Sequence, residues 1–194
     1  MCGIIGITGK RQVAPLILSG LKHLEYRGYD SAGVAVGGKR GLQIAKRKGR
    51  VRELDELKPQ RFKGTFGIAH TRWATHGAPT IANAHPHATD RVAVVHNGII
   101  ENFRELRDDL AQDGANFESE TDTEVIAALL DSELGMGKEP LVALKATLDQ
   151  LKGAYALGVL IEGEDAPPYK NGLPDYVRLK NTPVAKKLPG DFKI

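Results

Sequence analysis

Several side chains in this sequence have types and neighbours suited to attack on an amide or ester. The single cysteine, Cys2, follows Met1 and opens onto Gly3-Ile4-Ile5-Gly6-Ile7-Thr8. A small residue after an initiator methionine normally lets that methionine be removed. Cys2 would then carry its thiol and a free α-amine on one carbon. An unperturbed α-amine has a pKa of roughly 7.7–8.0 and a free thiol one of about 8.5. The amine can therefore act as general base for the neighbouring nucleophile, with no separate histidine. By position alone, a lone cysteine at a frayed terminus carries little weight.

Asn97-Gly98, directly after a predicted strand, offers a side-chain amide and a backbone N–H for an oxyanion. Taken alone, Asn-Gly is also a common hairpin turn. The segment His70-Thr71-Arg72-Trp73-Ala74-Thr75-His76-Gly77 gathers an arginine, the only tryptophan, two hydroxyls and two histidines at the end of a strand. Arg72 presents a planar fork for a carboxylate, and Trp73 either walls a pocket or fills core. Asp122 stands at a predicted helix start, where an acid is stabilised by the dipole. It is also placed to read an ammonium. Arg72 and Asp122 together would recognise an α-amino acid. The His85-Pro86-His87 pair has short spacing and no cysteine or acid in a ligand pattern, so no metal is expected. No phosphate-binding glycine loop appears.

The elements that must position these residues belong to an ordinary globular chain. Its 194 residues are 41% hydrophobic and 26% charged, enough for one domain with a sizeable core. The apolar runs are too short to span a bilayer, and no signal segment is expected. One cysteine excludes an internal disulfide and fits a reducing, cytoplasmic compartment. The net charge of +3 is mild, and the basic stretch at 39–52 lacks interleaved aromatics, so neither nucleic acid nor membrane is an expected partner.

Alternation predicts a strand over 3–8 and helical spacing a helix over 13–25, with Pro15 in its first turn. A loop over 25–33 leads to a strand at 34–36, and Gly37-Gly38 turns into a strand at 42–46. A short helix is predicted at 52–57, a strand at 65–70, an irregular loop at 78–90 and a strand at 91–95. Asn102 is expected to cap a helix striped by Phe103, Leu106 and Leu110. Thr121 and Glu124 read as a capping box for the next helix. Pro140 opens a third helix with Leu141, Leu144, Leu148 and Leu151 inward, and 155–161 reads as a strand. Residues 162–194 hold five of the ten prolines amid lysines and read as an extended or partly disordered tail. This order favours α+β or layered sheets with helices outside over repeated βαβ units.

Six segments together resemble the class II glutamine amidotransferase domain. They are Met1-Cys2-Gly3-Ile4-Ile5-Gly6, the run Leu24-Glu25-Tyr26-Arg27-Gly28-Tyr29-Asp30-Ser31-Ala32-Gly33, His70 through Gly77, Asn83-Ala84-His85-Pro86-His87, Val95-His96-Asn97-Gly98-Ile99-Ile100-Glu101-Asn102, and Ser119-Glu120-Thr121-Asp122-Thr123-Glu124. More narrowly, they resemble the glutaminase part of the glutamine–fructose-6-phosphate aminotransferase (isomerizing) family. The resemblance runs from residue 1 to 161 and makes this stretch the expected glutaminase domain.

It implies the α+β, four-layer αββα fold of N-terminal nucleophile hydrolases. Cys2 would attack L-glutamine to give a thioester and ammonia, with Asn97 and Gly98 as oxyanion hole. Arg72 and Asp122 would bind glutamine, with Trp73, Thr75 and His76 in the same loop and Arg27 and Gly28 in a supporting loop. No cofactor is implied. In the family, ammonia passes to a sugar isomerase part that aminates fructose 6-phosphate to glucosamine 6-phosphate; that part has no counterpart in these 194 residues. The family also continues past residue 161 with further strands that 162–194 do not match, so an incomplete core is expected there. A catalytically silent fragment or glutamine-binding regulatory module is the alternative, and the sequence leaves open whether the chain forms a homodimer.

Overall fold

Two antiparallel sheets, each with one helical and one sheet-facing side, follow from the alternation of apolar residues. The computed structural model describes residues 2–74 and 77–163. The first sheet runs β1 (Gly3–Thr8), β4 (Phe66–Arg72), β2 (Ser31–Gly38), β3 (Gly41–Lys48) in space. The second runs β5 (His87–Ala88), β6 (Val92–Ile100), β7 (Gly153–Ile161). Among the described residues, four α-helices cover them: α1 (Ala14–His23), α2 (Phe103–Gln112), α3 (Asp122–Gly135) and α4 (Pro140–Gln150).

Successive side chains on a strand point to opposite faces. Val34 and Val36 of β2 and Ala69 of β4 therefore meet Ile17 and Leu21 of α1. Their neighbours Ala35, Phe66 and Ile68 turn the other way, onto Ala93 and Val95 of β6 and Leu160 of β7. Val92 and Val94 face Ile126 and Leu130 of α3, with α2 and α4 behind. The layers are thus α1, first sheet, second sheet, then α2 to α4, the expected αββα order. Each fully buried aliphatic side chain in these layers contributes about 1.5–3 kcal/mol.

Several boundaries differ from the sequence expectation, each for a tertiary reason. The 25–33 stretch is not all loop: β2 begins at Ser31, because Ala32 and Gly33 pair with Thr71 and His70 on one side and with β3 on the other. The predicted 13–25 helix ends at His23 and continues as a 3-10 turn over Glu25–Arg27, and Val51–Leu57 is likewise 3-10. Asn97-Gly98 does not end its strand. β6 runs on to Ile100 because β7 lies alongside it, pairing Asn97 with Ala156 and Gly98 with Tyr155.

Asn102 sits at the α2 N-cap position, yet its side chain makes no cap bond. Its amide instead donates to the Gln150 carbonyl at 2.9 Å and accepts from the Lys152 N–H at 2.9 Å, tying α2 to the end of α4. The Thr121–Glu124 capping box is absent too. The Glu124 carboxylate accepts from the Glu118 and Ser119 N–H groups, and the Thr121 hydroxyl bonds the His87 ring. On α4 the buried residues are Ala143 and Thr147, against α3, while Leu141 is 78% exposed. The expected tail character of 162–194 falls almost wholly outside the described residues.

Candidate active site

Strand register brings the distant motifs together. Gly3 pairs with Thr71 across β1 and β4, so Cys2 comes alongside the Arg72–Trp73 step. Ser31 pairs with Arg72 across β2 and β4, which brings Asp30 to the same place from the other flank. The Trp73 N–H donates to Cys2 Sγ at 3.3 Å, and Sγ lies 3.6 Å from the Trp73 carbonyl. Asp30 accepts a hydrogen bond from the Ala74 N–H and holds the same short loop. Gly28 packs directly behind: a Cβ there would stand 2.5 Å from the Arg72 carbonyl carbon and 2.8 Å from the Trp73 nitrogen. Only a glycine permits that approach.

A cavity of about 610 Å³ opens at this end of the two sheets. Cys2, Arg27, Arg72, Trp73, Asn97, Gly98 and Asp122 all line it. Asn97 Nδ2 donates to the Cys2 carbonyl at 3.3 Å, linking β6 to the start of the first strand. Gly98 has φ +127°, and a Cβ there would lie 2.2 Å from the Ala154 carbonyl oxygen, so the position demands glycine. Arg72 is 5% exposed and donates to the Gly77 and Ala78 carbonyls at 3.4 and 3.3 Å. Trp73 is 45% exposed at the rim, edge-on to Tyr29 with ring centroids 5.2 Å apart. It walls the cavity and does not fill core.

Asp122 opens α3, where N-terminal N–H groups and the dipole favour a carboxylate. Its Oδ2 accepts from the Ile100 N–H at 2.9 Å and its Oδ1 lies 3.5 Å from His96 Nδ1. Burial pushes this carboxyl up, but the His96 ring and the Ile100 N–H outweigh burial and leave it below the usual carboxylate range. It stays an anion facing the cavity. Arg72 and Asp122 thus present opposite charges to one enclosed space, as the sequence pattern anticipates.

His70, His85 and His96 line the cavity behind these groups, and His87 packs against His85. His70 stacks on His85 with centroids 4.2 Å apart, and His85 meets His87 edge-on at 4.9 Å. Burial pushes His70 down to about 4 and His87 down to about 3, and it holds His85 well below the ordinary histidine value, with neighbouring cationic groups adding to the effect. The Thr123 hydroxyl lies 2.8 Å from His85 Nε2 and 2.9 Å from His96 Nδ1. Among the described residues, no group of three or more His, Cys, Asp or Glu side chains could hold a metal ion.

Of the residues singled out by sequence, Cys2, Arg27, Gly28, Arg72, Trp73, Asn97, Gly98 and Asp122 converge here. Thr75 and His76 lie outside the described residues. Sequence reasoning gave no role to Asp30, to His70, or to Glu120 and Asn83. The latter two clamp the loop after Gly77: Glu120 Oε2 accepts from the Ala78 N–H at 3.3 Å and from Asn83 Nδ2 at 3.1 Å. The inward parity of 66, 68 and 70 on β4 was the available signal for His70.

The four layers, with Cys2 at the head of the first strand, are the αββα fold of the N-terminal nucleophile hydrolases. A family model described as a glutamine amidotransferase domain matches residues 70–166. The chain belongs to the glutamine amidotransferase domain family.

Relatives named glutamine–fructose-6-phosphate aminotransferase [isomerizing] are similar over most of its length. The one from Caulobacter vibrioides is 59% identical over 84% of this chain and 27% of its own length. The one from Bradyrhizobium diazoefficiens is 54% identical over 85% of this chain and 27% of its own length. The chain therefore spans about a quarter of these relatives. A solved structure of glutamine phosphoribosylpyrophosphate amidotransferase from B. subtilis, complexed with ADP and GMP, superposes with a TM-score of 0.71. It is 28% identical and covers 83% of this chain and 35% of that one. Among the described residues, no helix is long and apolar enough to cross a membrane.

Proposed function

We propose that residues 1–161 form a glutaminase domain that hydrolyses L-glutamine to glutamate and ammonia through a thioester on Cys2. The observation that carries this reading is the meeting of the Cys2 thiol with Asn97, Arg72 and Asp122 around one cavity, from segments up to 120 residues apart. The Arg72 guanidinium would hold the substrate α-carboxylate and the Asp122 carboxylate its α-ammonium. The side-chain amide is then the only reactive carbonyl left to face the thiol. Thr75 and His76 are further candidates for binding the substrate.

The steps balance without metal or cofactor. With Met1 removed, the Cys2 α-amine takes the thiol proton as sulfur bonds to the amide carbon. The oxygen that becomes negative is stabilised by Asn97 Nδ2 and the Gly98 N–H. An amide NH2 carries two hydrogens, so the bond to the Cys2 carbonyl leaves one for the oxyanion. Collapse breaks the C–N bond, and the ammonium of Cys2 returns its proton to the departing ammonia. Water then attacks the thioester with the amine again as base, the C–S bond breaks, and glutamate leaves.

The names of the relatives support a further assignment: ammonia made here serves an isomerase part, in this protein or another chain, that aminates fructose 6-phosphate. A free nucleophilic thiol fits a cytoplasmic setting. The test is glutamate release by methionine-processed protein. Cys2→Ala should lower the rate at least about 10³-fold, as expected for loss of a nucleophile. Equal rates for the two proteins would remove the proposal.

A further inference from the structure

His70 sits on β4 with its side chain between the sheets, 1% exposed and beside Asn97 in the cavity lining. Its Nε2 is 3.1 Å from the His96 carbonyl oxygen and 3.0 Å from Asn97 Oδ1. A backbone carbonyl can only accept, so Nε2 must carry the proton. A ring N–H facing the Asn97 amide requires that the amide oxygen point toward it. The Asn97 NH2 then points the other way, to the Cys2 carbonyl at 3.3 Å, which is again a pure acceptor. Turning the amide over would set N–H against NH2 on one side and oxygen against oxygen on the other. Both contacts would become repulsive in a partly buried place.

The form of His70 is fixed by the same surroundings. Its Nδ1 is buried without a partner while the ring stacks on His85. A proton on Nδ1 would be a buried N–H with nothing to donate to, which is unfavourable. Burial also pushes the ring down to about 4, so it is neutral near neutral pH. Neutral His70 with its proton on Nε2 is the state that satisfies every bond present.

We propose that His70 is a positioning residue that locks the Asn97 amide with its NH2 toward Cys2, where an oxyanion would form. The proposal rests on the glutaminase reading for its catalytic consequence, but its hydrogen-bond content stands apart from activity. His70 lines the same cavity, and the role assigned to it here runs through its hydrogen bond to Asn97.

The first measurement needs no turnover. Nitrogen NMR of the wild-type protein labelled at histidine, at neutral pH, should show His70 neutral with the proton on Nε2, assigned by the signal missing in His70→Gln. A proton on Nδ1, or an imidazolium, overturns the proposal. The second is kinetic. His70→Phe keeps the ring volume and removes the donor, and should lower kcat about 10²-fold with KM within about twofold.

His70→Gln places an NH2 near the position of Nε2 and should recover at least about tenfold of that loss. No recovery overturns the proposal even if His70→Phe is poorly folded. In an Asn97→Ala background, His70→Phe should cost less than about threefold more, because the two act as one unit. Additive losses mean that His70 acts elsewhere. If Cys2→Ala hydrolyses glutamine as fast as wild type, the glutaminase reading fails, while the NMR result still decides the hydrogen bond.

Discussion

The two ends of the inter-sheet layer use the same strands for opposite purposes. At one end, Phe66 and Ile68 of β4 meet Ala93 and Val95 of β6 in an apolar contact. At the other, the same inward parity on the same strands reaches His70 and Asn97, which hydrogen-bond across the gap. Two residues further along β4 comes Arg72, beside Cys2 at the head of β1. The site is therefore the sandwich core continued in polar residues, held in register by its apolar half. On the proposed function the apolar end would serve stability and the polar end catalysis, and each should respond to a different measurement.

The strongest way to break this comparison is to exchange the two effects. Asn97→Ala should lower kcat for glutamine hydrolysis about 10²–10³-fold, as loss of one oxyanion donor does, with a loss of stability smaller than that of a core truncation. Ile68→Ala should do the reverse, costing about 2–5 kcal/mol of stability through the cavity it leaves, with kcat of the folded protein within about twofold of wild type. Denaturant melts and steady-state kinetics on the two variants check both. Equal kinetic damage from both would mean the two ends are not separable.

The polar end should also make stability depend on acid. His70 and His87 are held at about 4 and about 3, below the ordinary value near 6.5, and His85 is shifted the same way. The unfolded chain then binds more protons than the folded one as pH falls below about 6.5. Their stabilising share is fully present above that pH and is lost on acidification through the folded values. Each contributes a slope of up to about 1.4 kcal/mol per pH unit. Unfolding midpoints measured from pH 7 to pH 4 should fall accordingly, and His87→Gln should flatten the fall.

A smaller effect is expected at the seam between loop and site. Gly28→Ala would press a methyl group onto the Arg72–Trp73 backbone. Overpacking of this kind costs about 1–3 kcal/mol, and glutamine turnover should fall more than the melting temperature does. The smallest effect belongs to Leu141, on the outer face of α4 and remote from both ends. Leu141→Gln should change stability by less than about 0.5 kcal/mol and leave turnover unaltered.

The strands of the sandwich were legible because alternation is a local signal, and 66–70 and 92–95 carry it without interruption. Cys2, Arg72, Asn97 and Asp122 were legible because each is an unusual residue at the end of a predicted element. What the sequence hid was pairing. Asn97-Gly98 reads as a turn until β7 is laid beside it, and Ser31-Ala32-Gly33 reads as loop until β3 and β4 flank it. The capping signals at Asn102 and Thr121 misled for the same reason. Partners distant in sequence, Lys152 and His87, outbid the local N–H groups. His70 was hidden because its role depends on an acceptor from another strand.

The central claim is that the Cys2 sulfur becomes acylated by glutamine. Rapid acid quench of methionine-processed protein mixed with excess glutamine, followed by intact mass and peptide mapping, tests it directly. One glutamyl group should appear on the Cys2 peptide of wild type, labile to hydroxylamine, and be absent in Cys2→Ala. Glutamate formed steadily with no such adduct on Cys2, or with the adduct on another residue, would contradict the account.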